Sequence, residues 1–141
     1  MPVTFEEIKK ILGKQDAKLL LDFENPKISK DDLRLPTPRH VEKVFSLSDR
    51  NKKVIDNLKK LYGHGRLGST GYISILPVDQ GIEHSAGARF ATNPEYFDPE
   101  RVVRLALEAG CSGIASTLGI LGMVSERYAE RIPYILKLNH N

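Results

Sequence analysis

Two hydrophobic rhythms divide this chain. Up to about residue 65, apolar positions recur at helical spacing. From Gly71 onward they come in short solid runs separated by amphipathic stretches. Thr4 is followed three positions later by Glu7, the pattern of a reciprocal helix cap, with Val3 and Ile8 at the flanking staple positions. That helix is expected to reach about Leu12 and stop at Gly13. A second apolar turn follows over residues 17–21. Residues 24–36 are charged and broken by Pro26 and Pro36, and read as a surface loop. Thr37 is expected to cap a short helix with Pro38 at its first position and Val41, Val44 and Phe45 on its inner face. Ser48 or Asp49 is expected to cap a third helix. There Val54, Leu58, Leu61 and Tyr62 keep helical spacing, and Gly63 and Gly65 end the run.

The second half predicts a different grammar. Residues 72–76 read as a buried strand, apolar but for Ser74. It should stop near Pro77, which has no N–H for a ladder. Residues 85–97 read as a long polar loop, and loops of that length in compact domains are often functional. Asp98-Pro99-Glu100 is a strong helix start, with Val102, Leu105, Ala106 and Ala109 on the inner face and Gly110 at the end. Residues 112–117 form a second strand. Gly119 and Gly122 are expected to bound a tight turn, with a helix continuing to about Glu130, and residues 134–138 form a third strand. Strand, helix, strand, helix, strand predicts parallel pairing with helical crossovers. The expected fold class is α/β: the N-terminal part of a (β/α)8 TIM barrel, about three strands over residues 66–141, preceded by a helical extension over residues 1–65. Three parallel strands with two helices make a poor closed unit, so the pattern reads as interrupted partway round a barrel.

Composition narrows the classes. The 141 residues are 40% hydrophobic and 28% charged, ordinary for a globular protein. The net charge of +3 is spread without a basic cluster, which argues against a nucleic-acid partner. Cys111 is the single cysteine, so no intrachain disulfide is available, which suits a reducing compartment. No apolar run nears the roughly 20 residues of a membrane span, and the first ten residues are too polar for a signal peptide. The expectation is a cytoplasmic protein with no membrane partner. Histidines and cysteines lack metal-ligand spacing, so neither a metal nor a cofactor is expected.

The chemistry gathers just past the first strand. Asp79, Glu83 and His84 share one short loop with Gly81, beyond a strand's carboxyl end, where α/β proteins place their sites. Asp79 is the strongest candidate, set against the plain reading of a turn-forming aspartate. His84 comes next; a solvated loop acid explains Glu83 equally well. Along the third strand Ile135, Lys137 and Asn139 share one face and Tyr134, Leu136 and Leu138 the other. An inward Lys137 near the strand end suits a cation for a phosphate or a catalytic amine, or a partner for a barrel acid such as Asp79. Asn139 and His140 are further strand-end candidates. Ser116 and Thr117 read as local backbone caps, Cys111 as a small core residue, and His40 and His64 as surface residues. The two glycines at 119 and 122 do not make a phosphate loop.

Several stretches carry a resemblance: Leu-Pro-Val-Asp-Gln-Gly-Ile-Glu-His-Ser from Leu76, Phe97-Asp98-Pro99, Glu108-Ala109-Gly110-Cys111, Ala-Ser-Thr-Leu-Gly from Ala115, and Pro-Tyr-Ile-Leu-Lys-Leu-Asn-His-Asn from Pro133. Together they resemble the class I fructose-bisphosphate aldolases of the bacterial and archaeal type. The match is close over about residues 60–141 and less specific over residues 1–59. The resemblance implies a Schiff-base aldolase on a TIM barrel, without a metal. A buried lysine attacks the ketone of fructose 1,6-bisphosphate or dihydroxyacetone phosphate, and the iminium serves as electron sink for cleaving or forming a carbon–carbon bond. It further implies a catalytic role for Asp79, substrate contacts for His84, Lys137 and Asn139, a sugar-phosphate substrate and a homo-oligomer. In the family the Schiff-base lysine and phosphate site belong to later strands, so both are expected beyond Asn141. Residues 1–65 are expected to pack outside the barrel or at a subunit interface. The alternatives are a transaldolase-like relative acting on another phosphorylated sugar, or a catalytically inactive truncated chain.

Overall fold

The computed structural model describes residues 4–22, 24–78 and 86–138. The chain divides into two compact units, Met1–Leu35 and Pro36–Asn141. In the first, helix α1 (Phe5–Leu12) starts on the expected reciprocal cap. Glu7 donates its N–H to Thr4 Oγ1 at 3.3 Å, and the Thr4 N–H donates to the Glu7 carboxylate at 2.7 Å. Gly13 turns the chain directly into α2 (Lys14–Leu21). The stretch read as a plain loop contains a short 3-10 turn, Lys30–Asp32, capped by Ser29.

The second unit begins differently from expectation. Helix α3 spans His40–Val44, so Thr37 and Pro38 precede it. They form a tight turn in which the His40 N–H donates to the Thr37 carbonyl at 2.8 Å. The Thr37 hydroxyl caps nothing and is buried without a hydrogen-bond partner. A 3-10 turn, Phe45–Leu47, leads on to α4 (Lys52–Gly63). Its cap is Asn51 rather than Ser48 or Asp49; the Asn51 side chain accepts from the Val54 N–H at 3.0 Å. Ser48 is already engaged, donating its hydroxyl back to the Phe45 carbonyl. His40 is not a free surface residue: its ring lies 5.9 Å from Phe45 and 5.6 Å from Tyr62. Past α4, Gly65 has φ +77, and a Cβ there would stand 2.5 Å from the Gly110 and Cys111 carbonyl oxygens. Only glycine permits this approach, which seats the α4 exit against the turn before the second strand.

Three short parallel strands follow: β1 (Ile75–Pro77), β2 (Gly113–Ser116) and β3 (Tyr134–Leu136), in the order β1-β2-β3. All are shorter than the apolar runs suggested. Pro77 lies within β1, paired with Ala115, rather than ending it. The reason is alternation. The Ser74 carbonyl and the Val78 N–H both bond toward β2, so position 77 turns its missing N–H to the open side, where the ladder loses nothing.

Two helices cover one face of the sheet. Helix α6 (Pro99–Glu108) starts on Asp98, whose side chain accepts from the Glu100 N–H at 2.9 Å. Its buried residues are Val102, Val103 and Ala106; Leu105 and Ala109, expected inside, are exposed. Helix α7 (Leu118–Tyr128) begins immediately after β2. Gly119 and Gly122 therefore lie inside it and bound no turn. Ile114, Leu76 and Tyr134, in register across the strands, pack with Val102, Val103, Ala106, Leu121 and Val124. On the opposite face Leu61 of α4 reaches β2 so closely that a Cβ on Gly113 would meet its Cδ1 at 2.9 Å. The stretch read as a polar loop holds helix α5 (Ala86–Phe90) and a 3-10 turn, Pro94–Phe97. Phe90 folds this segment back, with ring centroids 5.6 Å from Tyr96 and 5.5 Å from Phe97. Among the described residues no helix is long and apolar enough to cross a membrane. The architecture is α/β with a parallel three-stranded sheet.

Candidate active site

The three strands end level with one another, and the backbone at that end is held by a compact set of bonds. The Val78 N–H donates to the Ala115 carbonyl at 2.9 Å, and the Lys137 N–H donates to the Ser116 carbonyl at 2.9 Å. The Ser116 hydroxyl donates across to the Val78 carbonyl. Val78, Ser116 and Lys137 thus mark one rim, the carboxyl end of a parallel sheet. In such sheets this rim carries the chemistry, because successive crossover loops all leave from it.

Of the residues singled out from sequence, Lys137 is the one described here. It is half-buried. The ladder bond of its N–H to Ser116 carries the strand alternation past Leu136, so Lys137 follows Ile135 onto the face away from α6 and α7. In a closed barrel the face away from the helices is the interior, which is the placement a substrate-contacting lysine needs. Asp79, Glu83, His84, Asn139 and His140 lie outside the described residues. So the structure fixes where the chain enters those segments, at Val78 and Leu138, and the sequence supplies their chemistry.

Ser116 is the residue that sequence reasoning underrated. Its side-chain bond is not local: it spans 38 positions to Val78. A small polar residue at the end of an apolar strand was the available signal. Thr117 precedes α7 in an extended conformation, but its side chain makes no capping bond. Cys111 is a buried free thiol, as its place after the helix-ending glycine suggested. Tyr134 is not available to move protons at the rim. Its hydroxyl donates to the Val124 carbonyl at 3.3 Å on the helix side, and burial raises its pKa. His64 lines a groove of about 860 Å³ with Leu58, Leu61, Arg131 and Ile135. That groove lies at the amino end of the strands, next to Pro133, away from the rim. No group of three or more potential metal ligands occurs among the described residues.

Comparison with known proteins gives the lineage. Residues 73–141 match the family described as DeoC/LacD family aldolase. The chain is 58% identical over 134 residues to a Chlamydia pneumoniae protein described as "Probable fructose-bisphosphate aldolase class 1", a match covering 95% of this chain and 38% of that protein. It is 56% identical over 131 residues to a protein of the same description from Chlamydia muridarum, covering 93% of this chain and 37% of that one. A "Fructose-bisphosphate aldolase class 1" of Thermoproteus tenax is 46% identical over 66 residues, 46% of this chain and 23% of that protein. No solved structure matches. The chain spans 38% of the length of the first of these relatives. The similarity to the chlamydial proteins runs through the helical residues as well as the strands, further than the short motifs alone suggested. Residues 73–141 are similar to the DeoC/LacD family of aldolases, within a chain similar over nearly all its length to proteins described as probable class 1 fructose-bisphosphate aldolases.

Proposed function

We propose that this chain supplies the first three strands of a Schiff-base aldolase that cleaves fructose 1,6-bisphosphate reversibly to dihydroxyacetone phosphate and glyceraldehyde 3-phosphate. The observation that carries the reading is the 58% identity to a probable class 1 fructose-bisphosphate aldolase across 95% of this chain. The level strand ends at Val78, Ser116 and Lys137 support it, because a barrel aldolase builds its site on such a rim. In this reading residues 1–65 are a helical extension and residues 66–141 open a (β/α)8 barrel.

The reaction needs an amine, a proton acceptor and charge complementary to phosphate. A lysine amine adds to the substrate ketone and water leaves, giving an iminium. The aldol hydroxyl gives up its proton, the carbon–carbon bond breaks, and its electron pair moves into the iminium to form an enamine. Protonation of the enamine carbon and hydrolysis release dihydroxyacetone phosphate. In this reading Asp79, one residue past Val78 in the sequence, accepts hydrogen bonds from substrate hydroxyls or stabilises the cationic intermediate. His84 and Asn139 contact hydroxyls, and the Lys137 ammonium offsets substrate charge. The family resemblance assigns the Schiff-base lysine to a later strand, outside these 141 residues. We read the working enzyme as a cytoplasmic homo-oligomer without metal.

Borohydride trapping with dihydroxyacetone phosphate, read by peptide mass spectrometry, tests this. It is run on these 141 residues and on the longest reading frame that contains them. The expected result is no adduct on the short chain and one lysine adduct on the long one. An adduct on Lys137 would make that residue the nucleophile and overturn the carry-over. No adduct on either would sink the Schiff-base reading. The broader DeoC/LacD match favours one second reading, an aldolase for another phosphorylated sugar. Cleavage rates with a panel of sugar phosphates separate the two.

A further inference from the structure

The two faces of β2 are filled differently. Ile114 and Ser116 are 0% exposed, Ile114 in the core beneath α6 and α7, while Ala115 between them is half-buried. Gly113 and Ala115 therefore face away from the helices. At Gly113 the space is taken, because a Cβ there would meet Leu61 Cδ1 at 2.9 Å and Ile135 Cδ1 at 3.7 Å. One layer on, Ala115 stands in register with Pro77 and Ile135 and adds only a methyl group. The next residue on that face is Thr117. Its backbone is extended, with φ -73 and ψ 161, so the alternation runs on through it and turns its side chain to the side opposite Ser116. The pairing runs as far: Ser116 is in register with Leu136, and the Lys137 N–H donates to the Ser116 carbonyl at 2.9 Å. Thr117 and Lys137 are the next pair, both half-buried, on neighbouring strands about 4.8 Å apart.

We infer that Thr117 is a substrate-contacting residue of the aldolase, its hydroxyl presented beside Lys137 to hydrogen-bond a hydroxyl of the sugar phosphate. This rests on the aldolase reading above. A threonine just before a helix ordinarily spends its side-chain oxygen on the N–H groups of the first turn. Thr117 makes no such bond with α7. Its backbone carbonyl does the work at the helix start, accepting the Leu121 N–H at 3.0 Å. The hydroxyl is therefore not committed to the helix. A hydroxyl both donates and accepts, which suits a sugar hydroxyl, whereas the Lys137 ammonium only donates, which suits negative charge. The layers beneath favour access. Leu61 closes the space at Gly113, and the small Ala115 leaves room between that floor and a ligand lying against the Thr117–Lys137 pair.

Two variants test this in the longest reading frame that contains these residues. Thr117→Val keeps the branched shape and removes the hydroxyl; Thr117→Ser keeps the hydroxyl. Thr117→Val should lower kcat/KM for fructose 1,6-bisphosphate cleavage by about tenfold, the size of one lost neutral hydrogen bond. Its melting temperature should stay within about 2 degrees of the unsubstituted protein, since no helix cap is lost. Thr117→Ser should stay within about threefold in kcat/KM. A capping threonine would give the opposite pattern, with Thr117→Val melting clearly lower and cleaving at the original rate per folded molecule. That pattern, an unchanged kcat/KM in Thr117→Val, or equal losses in the two variants would overturn the inference and leave the aldolase reading intact. If the unsubstituted protein cleaves no sugar phosphate, the aldolase reading itself fails and the Thr117 contact is overturned with it.

Discussion

Glu100 gathers three donors from two helices. Its carboxylate accepts from the Tyr128 hydroxyl at 2.9 Å, from an Arg104 nitrogen at 2.6 Å and from an Arg127 nitrogen at 2.7 Å. Its side chain is 19% exposed while both arginines are mostly in solvent, so the half-buried acid links the buried Tyr128 to the exposed arginines. The Tyr128 hydrogen bond, then that of Arg104, holds its carboxyl below the ordinary value of 4.5, against an opposing effect of desolvation. Arg104 also donates to the Tyr128 hydroxyl at 3.1 Å, and that bond, then the one to Glu100, raises its pKa. Because the folded pKa is depressed, the stabilisation is complete above 4.5 and disappears as pH falls through the lower folded value. Glu100→Gln keeps the shape and removes the charge. It should lower the thermal midpoint by a few degrees at about pH 7 and by less at about pH 3.5, because the linked stabilisation declines as pH falls from 4.5 towards the depressed folded value. Circular-dichroism melts at both pH values check this. Melting curves displaced equally at both would mean that packing, not the carboxylate charge, is what the substitution removed.

At the scale of elements, the clearest lever is α7. Gly119 and Gly122 lie inside this helix, and a Cβ added at either meets nothing within 4 Å. Glycine inside a helix costs roughly 0.5–1 kcal/mol relative to alanine, mostly through the freedom it has when unfolded. The double variant Gly119→Ala/Gly122→Ala should therefore gain about 1–2 kcal/mol in urea unfolding with an unchanged slope. A loss would mean that something packs closely on this face in the working protein. These glycines also show what the sequence could and could not reveal. Where a capping side chain sits next to its own helix, the start was legible: Thr4 with Glu7, and Asp98 with Pro99. Where a non-local partner decides, it was not. Ser48 looks as good a cap as Asn51 until its hydroxyl is seen on the Phe45 carbonyl. Thr37 and Pro38 carry every sign of a helix start, yet form the turn before one. Two glycines punctuate a sequence whether or not the helix runs through them. The candidate site divides the same way. Strand parity grouped Lys137 with Ile135 on one face, which the structure turns away from the helices, but nothing local announced that Ser116 would bond to a carbonyl 38 residues away.

The molecule as a whole has an edge problem that its strands only partly solve. Among the described residues β1 and β3 are both edge strands, each paired on one side with β2. Parallel sheets occur with both faces covered and both edges continued or protected, because a bare ladder recruits other strands. Here β1 is partly guarded, since Pro77 presents no N–H on its open side. Among the described residues β3 carries no proline of this kind, and it runs Tyr-Ile-Leu into Lys137 and then Leu138, 86% exposed. Among the described residues, Leu61 of α4 covers the second face of the sheet near its amino end, at Gly113 of β2. An apolar edge of this kind should find a partner. These 141 residues expressed alone should therefore sediment as dimers or larger species at micromolar concentration. Placing a lysine on the edge, Leu138→Lys, should shift the distribution toward monomer, as charged edge residues do in natural sheets. Analytical ultracentrifugation of both chains decides it. A monodisperse monomer of the unsubstituted chain would show that the β3 edge is satisfied within the chain itself, and the barrel-opening reading of residues 66–141 would lose its structural support.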